Sequence, residues 1–395
     1  MTEIDIKTER VDDIALLMGQ QQKLGLAEII DRNIIPNGHR QGLSVGQTIE
    51  VWLSFILSES DHRLSYVEPW VVQHLETLRH LTTPELKAAD FDDDRLGDVL
   101  RYLSRDQAWQ AIEQALGQRT IQVYELPTEI VRLDSTSVAV HHAPEGTILI
   151  RHGHSKDHRP DLAQVKVMLA SLDPAGMPLV TQVVGGQRAD DGLYVPAITE
   201  VRQVLAQSGL LYVGDSKMEA LTSRGYLVAG GDHYLTPLSL KGTQADLLAE
   251  LVQPVIESRQ ELVNIYRAGS AETEATLLGQ GYETSRVQQA QVEAETVAWH
   301  ERILVVYSPN LADSARRGLA ARLARAEEKL LALTPPPGRG RRQYETLAPL
   351  QGAATAILHQ HRVEGLLQVS YQQQVTRRQV RPYRDRPART EEKVR

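Results

Sequence analysis

A single aspartate interrupts an alternating, β-branched run at residues 129–142, EIVRLDSTSVAVHH. Alternation with period two predicts a strand with one buried face. An aspartate inside such a strand, Asp134, is costly to desolvate unless something compensates its charge. Two further strands follow, QVKVMLASLD at 164–173 and PLVTQVVGG at 178–186, separated by the turn Asp173-Pro174-Ala175-Gly176. Next come a helix over 194–208 closed by Gly209, a short buried strand LLYVGD at 210–215, a helix near 216–223 and a last strand GYLVAG at 225–230. Three strands, then a helix, a strand, a helix and a strand, describe a mixed α/β sheet.

The flanks read differently. Apolar residues at three-to-four spacing predict helices over 14–30, 45–59 and 95–116, with Ser44 and Asp94 as caps for the last two. The aspartates of FDDDRLGDVL then sit at a helix start, where the dipole favours negative charge; this outweighs a metal role for Asp92, Asp93 and Asp94. Beyond about residue 240 the chain is rich in glutamine and glutamate. It carries a strand in WHERILVVYSP at 299–309, a basic amphipathic helix over 312–333 ended by TPPPGRGRR, and a further strand within 360–374. The domains expected are a helical one over 1–120, an α/β core over 125–240, an α+β region with the basic helix over 241–375, and a basic, disordered tail over 376–395.

Charge is divided along the chain. The net charge is −8, yet residues 1–110 carry 19 acidic and 11 basic side chains while residues 316–395 carry 17 basic and 7 acidic. A basic end on an acidic protein suggests either a nucleic-acid surface or a solvated arginine-rich tail. With no cysteine, neither disulfides nor thiolate zinc sites are available. The opening residues MTEIDIKTERVDD are acidic and polar, and no run approaches the ~20 apolar residues that span a bilayer. A soluble cytoplasmic protein is expected.

Asp215 ends the buried strand LLYVGD, at the sheet edge where α/β proteins bind ligands. If its strand neighbours that of Asp134, the two carboxylates repel unless a divalent cation lies between them. Oxygen-only ligands suit Mg²⁺ or Mn²⁺, which activate water and stabilise a leaving 3′ oxygen in phosphodiester chemistry. The histidines at 141, 142, 152, 154 and 158 do not match a closed zinc site. The segment RHGHSKDHRPD reads either as phosphate contacts or as a surface hairpin.

The run GHSKDHRPDLAQV at 153–165 resembles the signature of IS1634-family transposases in the IS4-like superfamily, and RLDSTSV and YVGDSKM resemble that family's two catalytic-aspartate strands. The resemblance implies an RNase H-like core, a helical N-terminal domain and an α+β insertion region. It also implies a DDE transposase that binds terminal inverted repeats and target DNA as a homo-oligomer. Asp134 and Asp215 would then be the catalytic, metal-holding pair, and His154, Lys156, Arg159 and Lys217 the DNA contacts. The superfamily's third carboxylate belongs to a Tyr-x2-Arg-x3-Glu-x6-Lys helix. Here Tyr383 and Arg386 have the first spacing, but Thr390 occupies the glutamate position. The expectation is therefore a chain that stops before the catalytic glutamate. A catalytically inactive DNA-binding fragment or transposition inhibitor is the alternative, with an unrelated metal-dependent nuclease of the same fold as a third.

Overall fold

The computed structural model describes residues 8–394 apart from 37, 39, 142–145, 157, 240, 241, 268–274, 337–343, 345, 373, 374 and 383–386. His142, Tyr383 and Arg386 lie outside the described residues. The chain divides into two compact units, one of residues 1–248 with 286–301, the other of 249–285 with 302–395.

The first unit opens with seven helices: α1 (Ile14–Leu24), α2 (Leu26–Asn33), α3 (Val45–Glu59), α4 (Val67–Gln73), α5 (Leu75–Leu81), α6 (Asp93–Leu103) and α7 (Asp106–Tyr124). One helix was expected over 14–30. Gly25, at φ 66°, takes the left-handed conformation that closes α1 and starts α2 at a new angle. Ser44 caps α3 in a reciprocal capping box with Gln47. The cap of α6 is Asp92, not Asp94: its side chain accepts the Arg95 N–H at 2.7 Å, leaving Asp93 and Asp94 in the first turn. Ile14, Met18, Ile30, Val51, Phe55 and Trp70 are among the side chains that build the helical core.

A five-stranded sheet follows, with β1 (Ile130–Val140), β2 (Ala163–Leu172), β3 (Met177–Gly185), β4 (Leu211–Gly214) and β5 (His233–Leu235), and with α8 (Tyr194–Leu205) and α9 (Leu221–Ala229) between the later strands. The strand order is β3-β2-β1-β4-β5. β1, β2 and β3 are antiparallel; β4 runs parallel to β1 and β5 parallel to β4. The mixed α/β sheet expected from the sequence is present, with two local differences. The helix over 194–208 stops at Leu205, because Ala206 rather than Gly209 adopts the left-handed closing conformation. The helix expected near 216–223 begins only at Leu221 and, as α9, takes in 225–229 of the run expected as the last strand, which is instead β5; a short apolar run does not distinguish a buried helix from a strand.

Pleating divides β1 cleanly. Val131, Leu133, Ser135 and Ser137 are buried, while Arg132, Asp134, Thr136 and Val138 are exposed on the other face. The buried face packs with α8, whose Tyr194, Ala197, Ile198 and Val201 join Val131, Leu133, Met168 and Tyr212 in a second core. Arg202 of α8 pairs at 2.7 Å with the buried Asp232, whose other oxygen accepts the Leu210 N–H at 3.1 Å, so one carboxylate ties α8 to the starts of β4 and β5.

The remaining elements are α10 (Thr243–Ile256), β6 (Val263–Arg267), β7 (Thr276–Val292), β8 (Glu295–Tyr307), α11 (Pro309–Ala332), α12 (Leu347–His361), β9 (Val375–Val380) and β10 (Arg389–Val394). β6, β7 and β8 form a three-stranded sheet, and the tip of its β7–β8 hairpin, residues 286–301, belongs to the first unit. There Glu301 is buried against Arg224, Arg286 and the Tyr234 hydroxyl; burial alone would raise its pKa, and these partners hold the carboxyl below its usual range. The strand expected within 360–374 is absent among the described residues, where α12 ends at His361. The tail expected to be disordered contains an antiparallel ladder of β9 and β10, with Glu391 opposite Arg378 and Glu392 opposite Arg377 in register. Such a ladder satisfies backbone groups with little apolar content, which a composition argument overlooks. No helix among the described residues is long and apolar enough to cross a membrane.

Glu113 of α7 offers a check on how the helices meet the sheet. Its carboxylate accepts the Thr181 N–H of β3 at 2.7 Å, and burial, aided by Glu200, pushes its pKa up to about 7. A folded pKa above the unfolded value means that the proton stabilises the fold. That stability is complete below the ordinary glutamate range and is lost as pH rises through about 7. Glu113→Gln should therefore raise the unfolding midpoint at pH 8 by a few degrees, on the order of 1 kcal/mol for a half-exposed group, and change little at pH 4. Thermal denaturation at both pH values checks this, and equal shifts at both would contradict it.

Candidate functional site

Backbone register brings the two sequence-selected aspartates together. Leu133 of β1 pairs with Gly214 of β4, so Asp134 and Asp215 occupy the next position along two adjacent parallel strands. Asp134 stands on the exposed face of β1, and one of its oxygens accepts the Ser135 N–H at 2.8 Å. β4 ends at Gly214, and the chain turns sharply: the Met218 N–H returns to the Asp215 carbonyl at 3.0 Å. A side chain at 214 would press within 2.8 Å of the Met218 sulfur, so only glycine fits the turn undistorted.

Asp215 is held from several directions. Its Oδ1 accepts the Tyr194 hydroxyl at 2.6 Å and the Lys217 N–H at 2.8 Å, and its carbonyl accepts Thr236 Oγ1 at 2.6 Å. Tyr194 is fully buried at the start of α8. Burial, then the bond to Asp215, then the charges of Asp215, Asp134 and Asp190 raise its pKa, so the phenol remains a donor.

Beside this turn lies a cavity of about 560 Å³ lined by residues that include His154, Lys166, Arg188, Asp190, Lys217 and Glu219. Lys166, projecting from the buried face of β2, donates to Asp190 Oδ1 at 2.5 Å and to the Arg188 carbonyl at 2.6 Å. Burial pushes Asp190 up, but the bond to Lys166 and the charges of Lys166, Lys156 and Lys217 outweigh it and leave the carboxyl below its usual range. Sequence reading passes over Tyr194, Lys166 and Asp190. Tyr194 and Lys166 look like ordinary core and surface positions of a helix and a strand, and only the tertiary fold brings them to Asp215 and Asp190.

The basic candidates separate. His154 and Lys217 line the cavity. Lys156 is turned inward: its ammonium donates to the carbonyl and hydroxyl of Ser135, and its N–H to Ser137 Oγ at 3.0 Å. Arg159 is exposed, pairs with Asp161 at 2.7 Å and does not line the cavity. Among the described residues no three histidine, cysteine or acidic side chains stand close enough to hold a metal ion. Two carboxylates do fit a hard divalent cation that keeps most of its waters and takes its other ligands from phosphate oxygens.

Residues 6–114 match a domain of unknown function, DUF4277. No curated protein matches the sequence. Among solved structures, the chain aligns with the piggyBac transposase synaptic complex with hairpin DNA at 11% identity and a TM-score of 0.33, over 75% of this chain and 61% of that one. It aligns with the Mos1 transposase paired-end complex with left transposon end at 8% identity and a TM-score of 0.21, over 56% of this chain and 68% of that one. The Mos1 strand transfer complex gives 10% identity and a TM-score of 0.20, over 55% and 67%. All three likenesses are slight.

Removing Lys166 isolates a buried carboxylate. Lys166→Met should cost about 3–5 kcal/mol, because Asp190 is left uncompensated, whereas Lys166→Met with Asp190→Asn should recover most of the loss. Denaturant unfolding of the variants measures both; additive losses would show that the pair contributes no coupling.

Proposed function

We propose that this chain is a DNA transposase of the carboxylate type, with an RNase H-like core in which Asp134 and Asp215 hold Mg²⁺ or Mn²⁺. The observation that carries the reading is the placement of Asp134 in β1 and of Asp215 one residue past the end of the parallel neighbour β4, where Leu133 pairs with Gly214, in a sheet ordered β3-β2-β1-β4-β5. Bound there, a divalent cation supplies a nucleophilic water and neutralises charge on the leaving 3′ oxygen. The chain's own residues set the geometry. Asp134 and Asp215 offer carboxylate oxygens from a rigid sheet, and Thr236 and the Lys217 N–H fix the backbone and one oxygen of Asp215. Lys217 and His154, exposed at the cavity, are placed to meet a phosphodiester backbone. Terminal inverted repeats and target DNA are the substrates in this reading, and the protein acts on them as a homo-oligomer in the cytoplasm.

A second reading, a protein that binds repeat ends without cutting them, draws on a specific observation: no third acidic side chain joins the pair among the described residues. A DDE mechanism then needs a glutamate supplied from beyond the described part of the chain.

The discriminating experiment is Mn²⁺-dependent cleavage of a labelled duplex carrying the element's terminal repeat. Cleavage by these 395 residues, lost in Asp134→Asn and Asp215→Asn with binding retained, supports the enzyme. Binding without cleavage supports the binding-only protein, and cleavage that survives either substitution overturns the assignment of the pair. The affinity for DNA should also fall with salt, each neutralised phosphate contributing about −0.9 to the log–log slope. A flat response in a filter-binding titration would remove the phosphate contacts from the proposal.

A further inference from the structure

Tyr194 donates to Asp215 from a completely buried position, and neither the sequence motifs nor the proposed chemistry uses it. Its anchoring is unusually complete. The ring belongs to the second core with Leu133, Met168 and Tyr212. The segment that leads into α8 is pinned at Arg188 and Asp190 by the buried ammonium of Lys166. A 3₁₀ turn, Asp191–Leu193, connects that anchor directly to Tyr194. The hydroxyl therefore has a fixed origin on a rigid element, and it reaches a carboxylate that stands just past the end of a strand, where the chain would otherwise be free to turn.

We propose that Tyr194 is a positioning residue: by engaging Oδ1 of Asp215 it leaves Oδ2 as the oxygen presented to a divalent cation shared with Asp134. This rests on the two-aspartate reading above. The chemistry is that of an outer partner orienting a ligating carboxylate. The Lys217 N–H bonds the same oxygen as the phenol, so both donors load Oδ1 and neither competes for Oδ2. The phenol is a fitting donor for the purpose, because its ring is fully buried and its hydroxyl is aimed at Asp215 at 2.6 Å. Asp190 is committed to Lys166, which leaves Asp215 as the phenol's acceptor.

Mn²⁺ binding by the purified 395-residue protein tests this, read as free Mn²⁺ by electron paramagnetic resonance for the wild type, Tyr194→Phe, Asp134→Asn and Asp215→Asn. Tyr194→Phe should weaken binding by roughly 10- to 100-fold, the usual effect of losing an outer partner of a metal ligand. The metal-free unfolding midpoint should stay close to that of the wild type, since only one hydroxyl is lost. A Tyr194→Phe protein that binds Mn²⁺ like the wild type, while Asp215→Asn does not, would overturn the positioning role and leave the two-aspartate site standing. Wild-type binding by both aspartate variants would instead overturn the site itself. A second measurement needs no substitution. In protein labelled with 3-fluorotyrosine, substoichiometric Mn²⁺ should broaden one fluorine signal before the others of the 13 tyrosines. Uniform broadening, or none, counts against the proposal.

Discussion

Parallel pairing of β4 with β1 is the constraint on which the site depends. β4 has only four residues, and a strand that short gains little from its own ladder. It is held in place by what surrounds it. Tyr212 is fully buried in the core beneath α8, and Asp232 bonds both the Leu210 N–H and Arg202, fixing where β4 begins. Register then does the rest: with Leu133 opposite Gly214, Asp215 has no choice but to emerge beside Asp134. A slip of one residue would turn Tyr212 out of the core and carry Asp215 to the opposite face, so the energetics of burial and the geometry of the carboxylates are enforced by the same pairing.

Buried charge is concentrated around this part of the sheet, and each instance is paired. Lys166 meets Asp190, Arg202 meets Asp232, and Arg224 with Arg286 meets Glu301. Such pairs add little net stability, because the cost of desolvating both ions is close to what their attraction returns. Their effect is directional. Each joins segments distant in sequence: β2 to the entry of α8, α8 to the loop before β5, and α9 to the tip of the β7–β8 hairpin. An apolar contact in the same places would tolerate sliding, whereas an ion pair with its remaining hydrogen bonds satisfied specifies one arrangement.

Much of the fold was legible because its elements follow simple periodicities. β1, β2 and β3 alternate or carry β-branched runs, α3 has its capping box written as Ser44 and Gln47, and the short apolar run before Asp215 reads as a buried strand. Other elements failed for physical reasons. The split at Gly25 depends on how two helices pack on α3, and α9 was read as a strand because apolar runs of that length fit either state. α12 is rich in helix formers, but its apolar residues mark no single face, and the β9–β10 ladder has a composition that does not favour order. In the site, Asp134 stands out in the sequence as a charge that would be costly to bury, yet it lies on the exposed face of β1, and register with β4 is what sets it beside Asp215. Tyr194, Lys166 and Asp190 do not stand out, since a tyrosine at a helix start and a lysine in a strand acquire their roles only from partners more than twenty residues away.

The exposure of Asp134 bears on how such a site can work at all. Asp134 meets solvent on the open face of β1, and Asp215 is exposed just past the end of β4. Solvation of this kind would weaken the hold of the two carboxylates on the proposed divalent ion, because water screens the attraction and two carboxylates leave most coordination positions open. Phosphate oxygens alter both terms. In the proposed reading they would complete the coordination, and bound DNA would exclude solvent from the open face of β1, lowering the local dielectric. Cation and nucleic acid should then bind each other's complexes more tightly than the free protein. For a chain of net charge −8, a DNA substrate of the proposed kind would have to be met first by local positive groups such as Lys217 at the cavity rim.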